Sequence, residues 1–401
     1  MTGLVFYFHA HQPRRIRYFS FFDMLKESNY FNDEVNKRIL DRVVNKCYKP
    51  ALQMILNAIY EYNLKFSFSI TGTLIEQLES WHPEILDLWK ELVDTGNVEI
   101  LGETYYHSVS YLIDKEEFKE QVKLHINKIR EVFGYSPKAF RNFELAYNNE
   151  IGEIAYSLGF HTALIEGTEK VLKWRSPNYV YKAKRVNLRL LPRNYRLSDD
   201  IAFRFGNPNW EHYPLNADKY FNWLLQTPGD IINIFMDFET IGEHLWPESG
   251  IFEFFNRLFE LIGESDYFET YTVSEASYKF APVGELDIPE IISWADIERD
   301  LSAWLGDSIQ SEALSYLKDL FEIAKKQNNK EALRVLRYLS TSDNLYYMSL
   351  KYNADGDVHK YFREEAFETP YDAYISFMNI LKDIESKLST EKREQLEYGL
   401  S

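Results

Sequence analysis

The sequence predicts an α/β chain: a closed or nearly closed (β/α) barrel over residues 1–282, then a helical domain over residues 283–401. Three observations carry this. Short apolar runs alternate with helix-spaced segments seven or eight times over about 275 residues, the pattern of parallel βαβ units. No G-x-G-x-x-G follows the first apolar run and no G-x-x-x-x-G-K-[ST] occurs anywhere, so an open, doubly wound nucleotide-binding sheet lacks its phosphate cradle. Beyond Pro289 the alternation stops and only helical spacing remains.

The elements follow in order. Residues 4–8 read as the first strand, and Pro13 bars helix at its predecessor, so His9-Ala10-His11-Gln12 is a loop at a strand end. Apolar spacing predicts a helix over 38–62, with a break or new start at Pro50. Strand 65–70 alternates Phe and Ser, and helix 83–95 opens on Pro83, a favoured first-turn residue, and ends at Gly96. Strand 97–101, helix 115–133 closed by Gly134, strand 139–143, helix 149–158 and strand 161–165 continue the alternation. Strands are predicted at 186–191 and 201–205, helix at 217–225, strand at 231–235, helix at 252–262 and a last extended run at 268–272. Helices at 294–305, 312–325, 330–339 and 371–387 form the second domain.

Composition bounds the function. The hydrophobic fraction of 45% with 27% charged residues is that of an ordinary globular protein. Lys and Arg number 45 against 62 Asp and Glu, and the net charge of −17 argues against nucleic acid or an anionic membrane as the partner. The single cysteine, Cys47, excludes an internal disulfide. No run approaches the roughly 20 apolar residues that cross a bilayer, and His9 interrupts the first apolar run too early for a signal peptide, so a cytoplasmic location is expected. Aromatic residues make up 16% of the chain, and an excess of Tyr and Trp serves both a core and a sugar-binding cleft.

In a barrel, every strand's C-terminal end opens onto one face. Four predicted strand ends deliver polar clusters there: His9/His11, Glu103/His107, Glu144 and Asp237/Glu239/His244. The densest follows the apolar run 231–235, where Asp237, Glu239, Glu243, His244 and Trp246 crowd into ten residues. A buried carboxylate is costly unless it is paired or used. Helix capping accounts for one such acid but not for three. Glu144 could be an acid placed at a helix start, favoured by the macrodipole. It nevertheless ends an apolar strand, with Arg141 three residues before it, and a nearby cation keeps a carboxylate ionised and nucleophilic. His9-x-His11 admits a zinc site as well as hydrogen bonding to a substrate. Asn353-Ala354-Asp355-Gly356-Asp357-Val358-His359 fails as a calcium loop, because Val358 occupies the position that requires glycine.

His9-Ala10-His11-Gln12-Pro13, Val98-Glu99-Ile100-Leu101-Gly102 with His107 following, Phe143-Glu144-Leu145, the Asp-x-Glu-x-x-Gly of Asp237, Glu239 and Gly242, and Thr272-Val273-Ser274-Glu275 stand in order. Together they resemble the five motif segments of glycoside hydrolase family 57, and within it the α-amylase branch most. The resemblance implies an incomplete seven-stranded, TIM-like barrel followed by a helical domain. It also implies a retaining mechanism on α-1,4-glucans, with Glu144 as nucleophile and Asp237 as acid/base. The activity it implies is α-amylase-like hydrolysis, with 4-α-glucanotransfer or branching as variants on the same two carboxylates. His107 departs from the family, whose members commonly carry an acid there.

His9, His11, His107 and Trp246 are expected to line the subsite of the cleaved sugar, imidazoles bonding hydroxyls and the indole stacking on a ring. The helical domain is expected to complete the site through Trp294 and Asp296, which the apolar spacing places at a helix start. The expected partner is an α-glucan or maltooligosaccharide, with no metal, no cofactor, no nucleic acid and no membrane. Two other classes compete: a metal-dependent deacetylase or amidohydrolase on a similar barrel, and a catalytically silent glucan-binding protein.

Overall fold

Ten strands occur among the described residues of the computed structural model, which are 1–351, 363 and 365–398. In chain order they are β1 (Thr2–Ala10), β2 (Phe66–Ile70), β3 (Val98–Ile100), β4 (Ala139–Phe140), β5 (Thr162–Glu166), β6 (Tyr181–Ala183), β7 (Arg189–Arg193), β8 (Ile231–Asp237), β9 (Phe268–Thr270) and β10 (Glu285–Leu286). β1 is the hub, pairing in parallel with β2 on one side and β8 on the other, while β9 joins its first residues. β3 extends the sheet beyond β2. β4, β5 and β7 form a second parallel group, with β6 antiparallel to β7 and β10 parallel to β6.

Two thin seams join the groups. Gly102 bridges Phe140, and a side chain there is barred because a Cβ would lie 2.5 Å from the Phe160 ring. At the other seam the Asn194 N–H reaches the Asn233 carbonyl at 2.9 Å, and the Asn233 amide donates to the Pro192 carbonyl at 2.8 Å. Seven strands, β1 to β5 with β7 and β8, therefore make an incomplete (β/α)7 barrel.

Strand periodicity sorts the side chains. Val5 and Tyr7 of β1, Leu164 of β5, Leu191 of β7 and Ile231 and Phe235 of β8 share one core cluster inside the barrel. The alternate residues of β1 point outward, where Phe6 meets Phe259 and Phe8 meets Phe255 on the helix Ile251–Gly263. β1 is thus buried on both faces, the reason its sequence is a nearly unbroken apolar run.

The helices Pro83–Asp94, Lys115–Phe133, Asn149–Ser157, Ala217–Gln226 and Lys330–Leu339 form where their spacing predicts. Pro50 marks a new start, as expected: it sits in the first turn of Lys49–Tyr62, after a π turn at Val44–Tyr48. Two predicted elements are corrected. Residues 201–205 are not a strand: 201–204 belong to a π turn, Asp200–Arg204, that continues a helix capped by the Asn194 side chain on the Leu197 N–H, and Phe205 follows in a turn. Residues 294–305 are mostly turns, with helix confined to Ser302–Leu305. Asp296 and Arg299 adopt φ of 52° and 51°, which a helix cannot accommodate.

The chain divides into two compact units: Met1–Gln12, Ile39–Glu103 and Val122–Trp294 form the barrel unit, and Pro13–Arg38, Thr104–Gln121 and Ala295–Ser401 the other. In the second unit, Asp307 and Gln310 form a capping box at the start of helix Ser308–Lys326. The buried Glu117 is held there by Arg337 at 2.7 Å, and Tyr30 donates to the buried Asp383 at 2.6 Å. The segment Asn353-Ala354-Asp355-Gly356-Asp357-Val358-His359 lies outside the described residues. Among those described, no helix is long and apolar enough to cross a membrane.

Candidate active site

The same period that fills the barrel with apolar side chains carries polar ones inward at the strand ends. On β1 the inward series Val5, Tyr7 continues to His9; on β8, Phe235 continues to Asp237; on β5, Leu164 continues to Glu166; on β7, Leu191 continues to Arg193. Strand register sets these groups level. His9 pairs with Asp237 across β1 and β8 and with Ser69 across β1 and β2, while Glu166 pairs with Arg193.

Arg141 directly follows β4 and is fully buried. Its Nη1 lies 3.4 Å from Glu103 Oε2 and 3.4 Å from His9 Nε2, and its charge interacts with Glu103, Glu144 and Asp237. A guanidinium only donates, so His9 Nε2 is the acceptor, and its Nδ1 carries the proton toward Ser69 Oγ at 2.8 Å. Tyr7 reaches the same Ser69 hydroxyl at 2.5 Å, and burial raises its pKa well above the usual value. Beneath, His125 accepts the Glu103 N–H at Nδ1 and donates from Nε2 to the Ile70 carbonyl at 2.8 Å. Burial lowers its pKa and keeps it neutral, despite the nearby Glu103 charge.

Glu144 lies in a 3₁₀ turn, Phe143–Leu145, with φ of 47°, and Leu145 follows at 53°. Two successive left-handed residues without glycine are strained, and such strain concentrates at functional sites. The turn is held by Trp294, whose backbone N–H donates to the Glu144 carbonyl at 3.0 Å and whose indole Nε1–H donates to Oε2 at 2.5 Å. The indole is in cation–π range of two cations, with the Arg141 and Arg193 guanidinium carbons each 5.4 Å from the ring centre. Arg193 is itself fixed by Asp199 at 2.6 Å, Glu166 at 3.2 Å and the Phe235 carbonyl at 2.8 Å. Trp294 also packs against the apolar interior of the barrel.

Asp237 ends β8 and is partly accessible. Two residues on, Glu239 is buried, and its Oε1 accepts both the Tyr48 hydroxyl and the His11 backbone N–H. His11 Nδ1 bonds Thr71 at 2.9 Å, and its ring stacks on His9 with centroids 5.9 Å apart. The loop needs glycine at 242, where φ is 102° and a Cβ would lie 1.9 Å from the Lys46 carbonyl oxygen. Lys46 reaches past that contact to place Nζ 4.0 Å over the Trp246 ring, which stays 53% exposed.

Burial, reinforced by the Asp237 charge, pushes the Glu239 carboxyl from 4.5 up to about 8. The folded chain then holds a proton that the unfolded chain has lost between those two values, so stability falls as pH rises through that window. Thermal melts from pH 5 to pH 8 are expected to show a falling Tm. Glu239→Gln, which keeps an acceptor for Tyr48 and His11, is expected to flatten that slope. A slope unchanged in the variant would assign it to other groups.

The barrel unit thus gathers His9, His11, Glu144, Asp237, Trp246 and Trp294 of the residues singled out in the sequence. His107 and Asp296 belong to the other unit. There His107 is buried with φ of 50° and its carbonyl accepts the Ser342 N–H, while Asp296 pairs with Lys351 at 3.0 Å. Tyr7, Tyr48, Ser69, Arg193 and Asp199 are not singled out by sequence. Arg193 carries the readable signal, a charge closing the apolar run Leu190-Leu191-Pro192.

Residues 5–289 match the model of Glycosyl hydrolase family 57. A protein of Methanocaldococcus jannaschii named "Putative alpha-amylase" is 46% identical over 402 residues, covering 95% of this chain and 84% of that one. A "4-alpha-glucanotransferase" of Thermococcus litoralis is 23% identical over 330-odd positions, namely 337, covering 80% of this chain and 47% of its own, so this chain spans about half its length. The solved structure of a family 57 branching enzyme from Thermococcus kodakaraensis superposes with a TM-score of 0.68 at 14% identity, covering 98% and 94% of the two chains, a likeness of fold. The family match spans the strands from β1 to β10, and with it the arginine-centred cluster of acids and histidines; the chain belongs to glycosyl hydrolase family 57.

Proposed function

We propose that this chain is a retaining enzyme on α-1,4-glucans, with residues 1–282 as its catalytic domain and 283–401 as a helical domain. Glu144 attacks the anomeric carbon, and Asp237 protonates the departing glycosidic oxygen. Asp237 then takes the proton of the incoming water or sugar hydroxyl as the glycosyl ester is cleaved. One observation carries this reading: Arg141 interacts with both acids, Glu144 in the turn that follows β4 and Asp237 at the end of β8. Family membership and relatives named for amylase and glucanotransferase activity support the substrate class. His9, His11 and Trp246, all in the barrel unit, are the sugar-facing group in this reading. A guanidinium 3.4 Å from His9 Nε2 disfavours a cation at that nitrogen.

The test is proton NMR of the first products released from maltoheptaose, followed by chromatography of the complete digest. Newly formed reducing ends that appear first as the α-anomer are expected, and first appearance of the β-anomer would replace retention by inversion. Products shorter than the substrate indicate hydrolysis, and products both longer and shorter indicate chain transfer.

A further inference from the structure

We propose that Trp294 is a positioning residue that acts on the second half of the reaction. Its indole N–H holds Glu144 Oε2 and stabilises that carboxylate as the sugar leaves it. The inference rests on the reading of Glu144 as nucleophile. It assigns Trp294 a different task from that of a surface on which sugar stacks.

The geometry fixes the donor. The indole Nε1–H meets Glu144 Oε2 at 2.5 Å, and the backbone of the same two residues is joined at 3.0 Å. The ring cannot turn away without leaving the two guanidiniums whose carbons lie 5.4 Å from its centre, and Arg193 is itself tied by three bonds. Flanking positive charge withdraws electron density from the ring and strengthens its N–H as a donor. An indole N–H donates only, so it cannot take the proton that Asp237 handles.

The indole claims Oε2, which leaves attack on the anomeric carbon to Oε1. In the glycosyl ester, Oε2 is the carbonyl oxygen. When water or a sugar hydroxyl bonds to the anomeric carbon, the bond from that carbon to Oε1 breaks and its electron pair returns to the carboxylate. The proton of the incoming hydroxyl passes to Asp237. Negative charge grows on Oε2 during this step, so the bond from the indole strengthens where it lowers the barrier. During the first step charge on Oε2 falls, and the same bond gives no help. The two half-reactions therefore separate the role.

The experiment uses Trp294→Phe and, as a closer isostere, the chain with 3-benzothienylalanine at position 294, which keeps the ring's size and lacks the N–H. With 4-nitrophenyl α-maltotrioside, kcat is expected to fall by between about 10-fold and 100-fold, the range for one charge-assisted hydrogen bond. KM is expected to fall with it, so that kcat/KM changes by less than about threefold while a nitrophenol burst appears. Acid-quenched samples are expected to show the covalent adduct by mass spectrometry. A raised KM with kcat unchanged would overturn the proposal in favour of stacking on sugar, as would a fall in kcat without burst or adduct. If the Phe variant does not fold, the benzothienyl chain decides alone, on the same readouts. Labelling of the wild-type chain with a 5-fluoro α-maltosyl fluoride tests the underlying reading separately. An adduct mapped to a residue other than Glu144 sinks that reading, whatever Trp294 does.

Discussion

Glu144→Gln is expected to lower kcat on the order of 10⁴-fold, about 5 kcal/mol of barrier, while leaving the folded state intact. The size follows from the role: an amide oxygen is a poor nucleophile, and the glycosyl intermediate cannot form through it. The folded state should survive because the substitution keeps shape and hydrogen bonding. The left-handed backbone at 144, φ 47°, is imposed by the turn and is equally available to Gln. The Gln carbonyl oxygen can turn to accept the Trp294 indole N–H, so no buried donor is orphaned. Glu144→Ala adds a sharper test, since it opens room for a small anion. Azide is expected to restore turnover of an activated substrate and to give the β-glycosyl azide, because it enters from the face the carboxylate occupied. Full activity in Glu144→Gln would sink the assignment. Restoration with the α-azide would move Glu144 to the acid/base role.

The sequence reveals much of this site because a barrel strand reports its own C-terminal end. An apolar run such as 231–235 that stops on Asp237, or 4–8 that stops on His9, marks where the buried strand meets the open face. Glu144 is legible for the same reason. Its turn is not, since two successive positive φ values without glycine leave no local trace. Trp294 shows the limit most clearly. Helical spacing of Ile297, Leu301 and Trp304 extends the predicted helix back over it, and amphipathic spacing carries no signal for long-range bonds to Glu144. Those bonds, with positive φ at Asp296 and Arg299, hold the segment in turns. Segments 13–38 and 104–121 group with the C-terminal helices for a similar reason: partners such as Tyr30 and Asp383 lie over 350 residues apart in sequence.

Arg141→Met is expected to cost activity and stability together, because this cation is the counter-charge for the buried acids. It is wholly buried 3.4 Å from Glu103 Oε2, in Coulombic reach of Glu144 and Asp237, and 5.4 Å from the Trp294 ring. Methionine fills part of the volume but supplies no charge. Breaking a buried pair from one side costs about 3–5 kcal/mol, since the partner is left desolvated and uncompensated. Denaturant unfolding is expected to register a loss of that size. For catalysis, removal of the cation makes protonation of the nearby carboxylates easier, so the acid limb of the kcat/KM profile is expected to move to higher pH. At its optimum, kcat/KM is expected to fall at least ~100-fold, since the nucleophile is neither held ionised nor oriented. Arg141→Lys separates charge from shape. Lysine restores the cation without the planar guanidinium that sets Nη1 against both His9 and Glu103, so it is expected to return the acid limb close to its original pH while recovering only part of kcat. A Met variant whose acid limb stays in place would mean that other groups hold the acids ionised, and Arg141 would then be structural support for Glu103 alone.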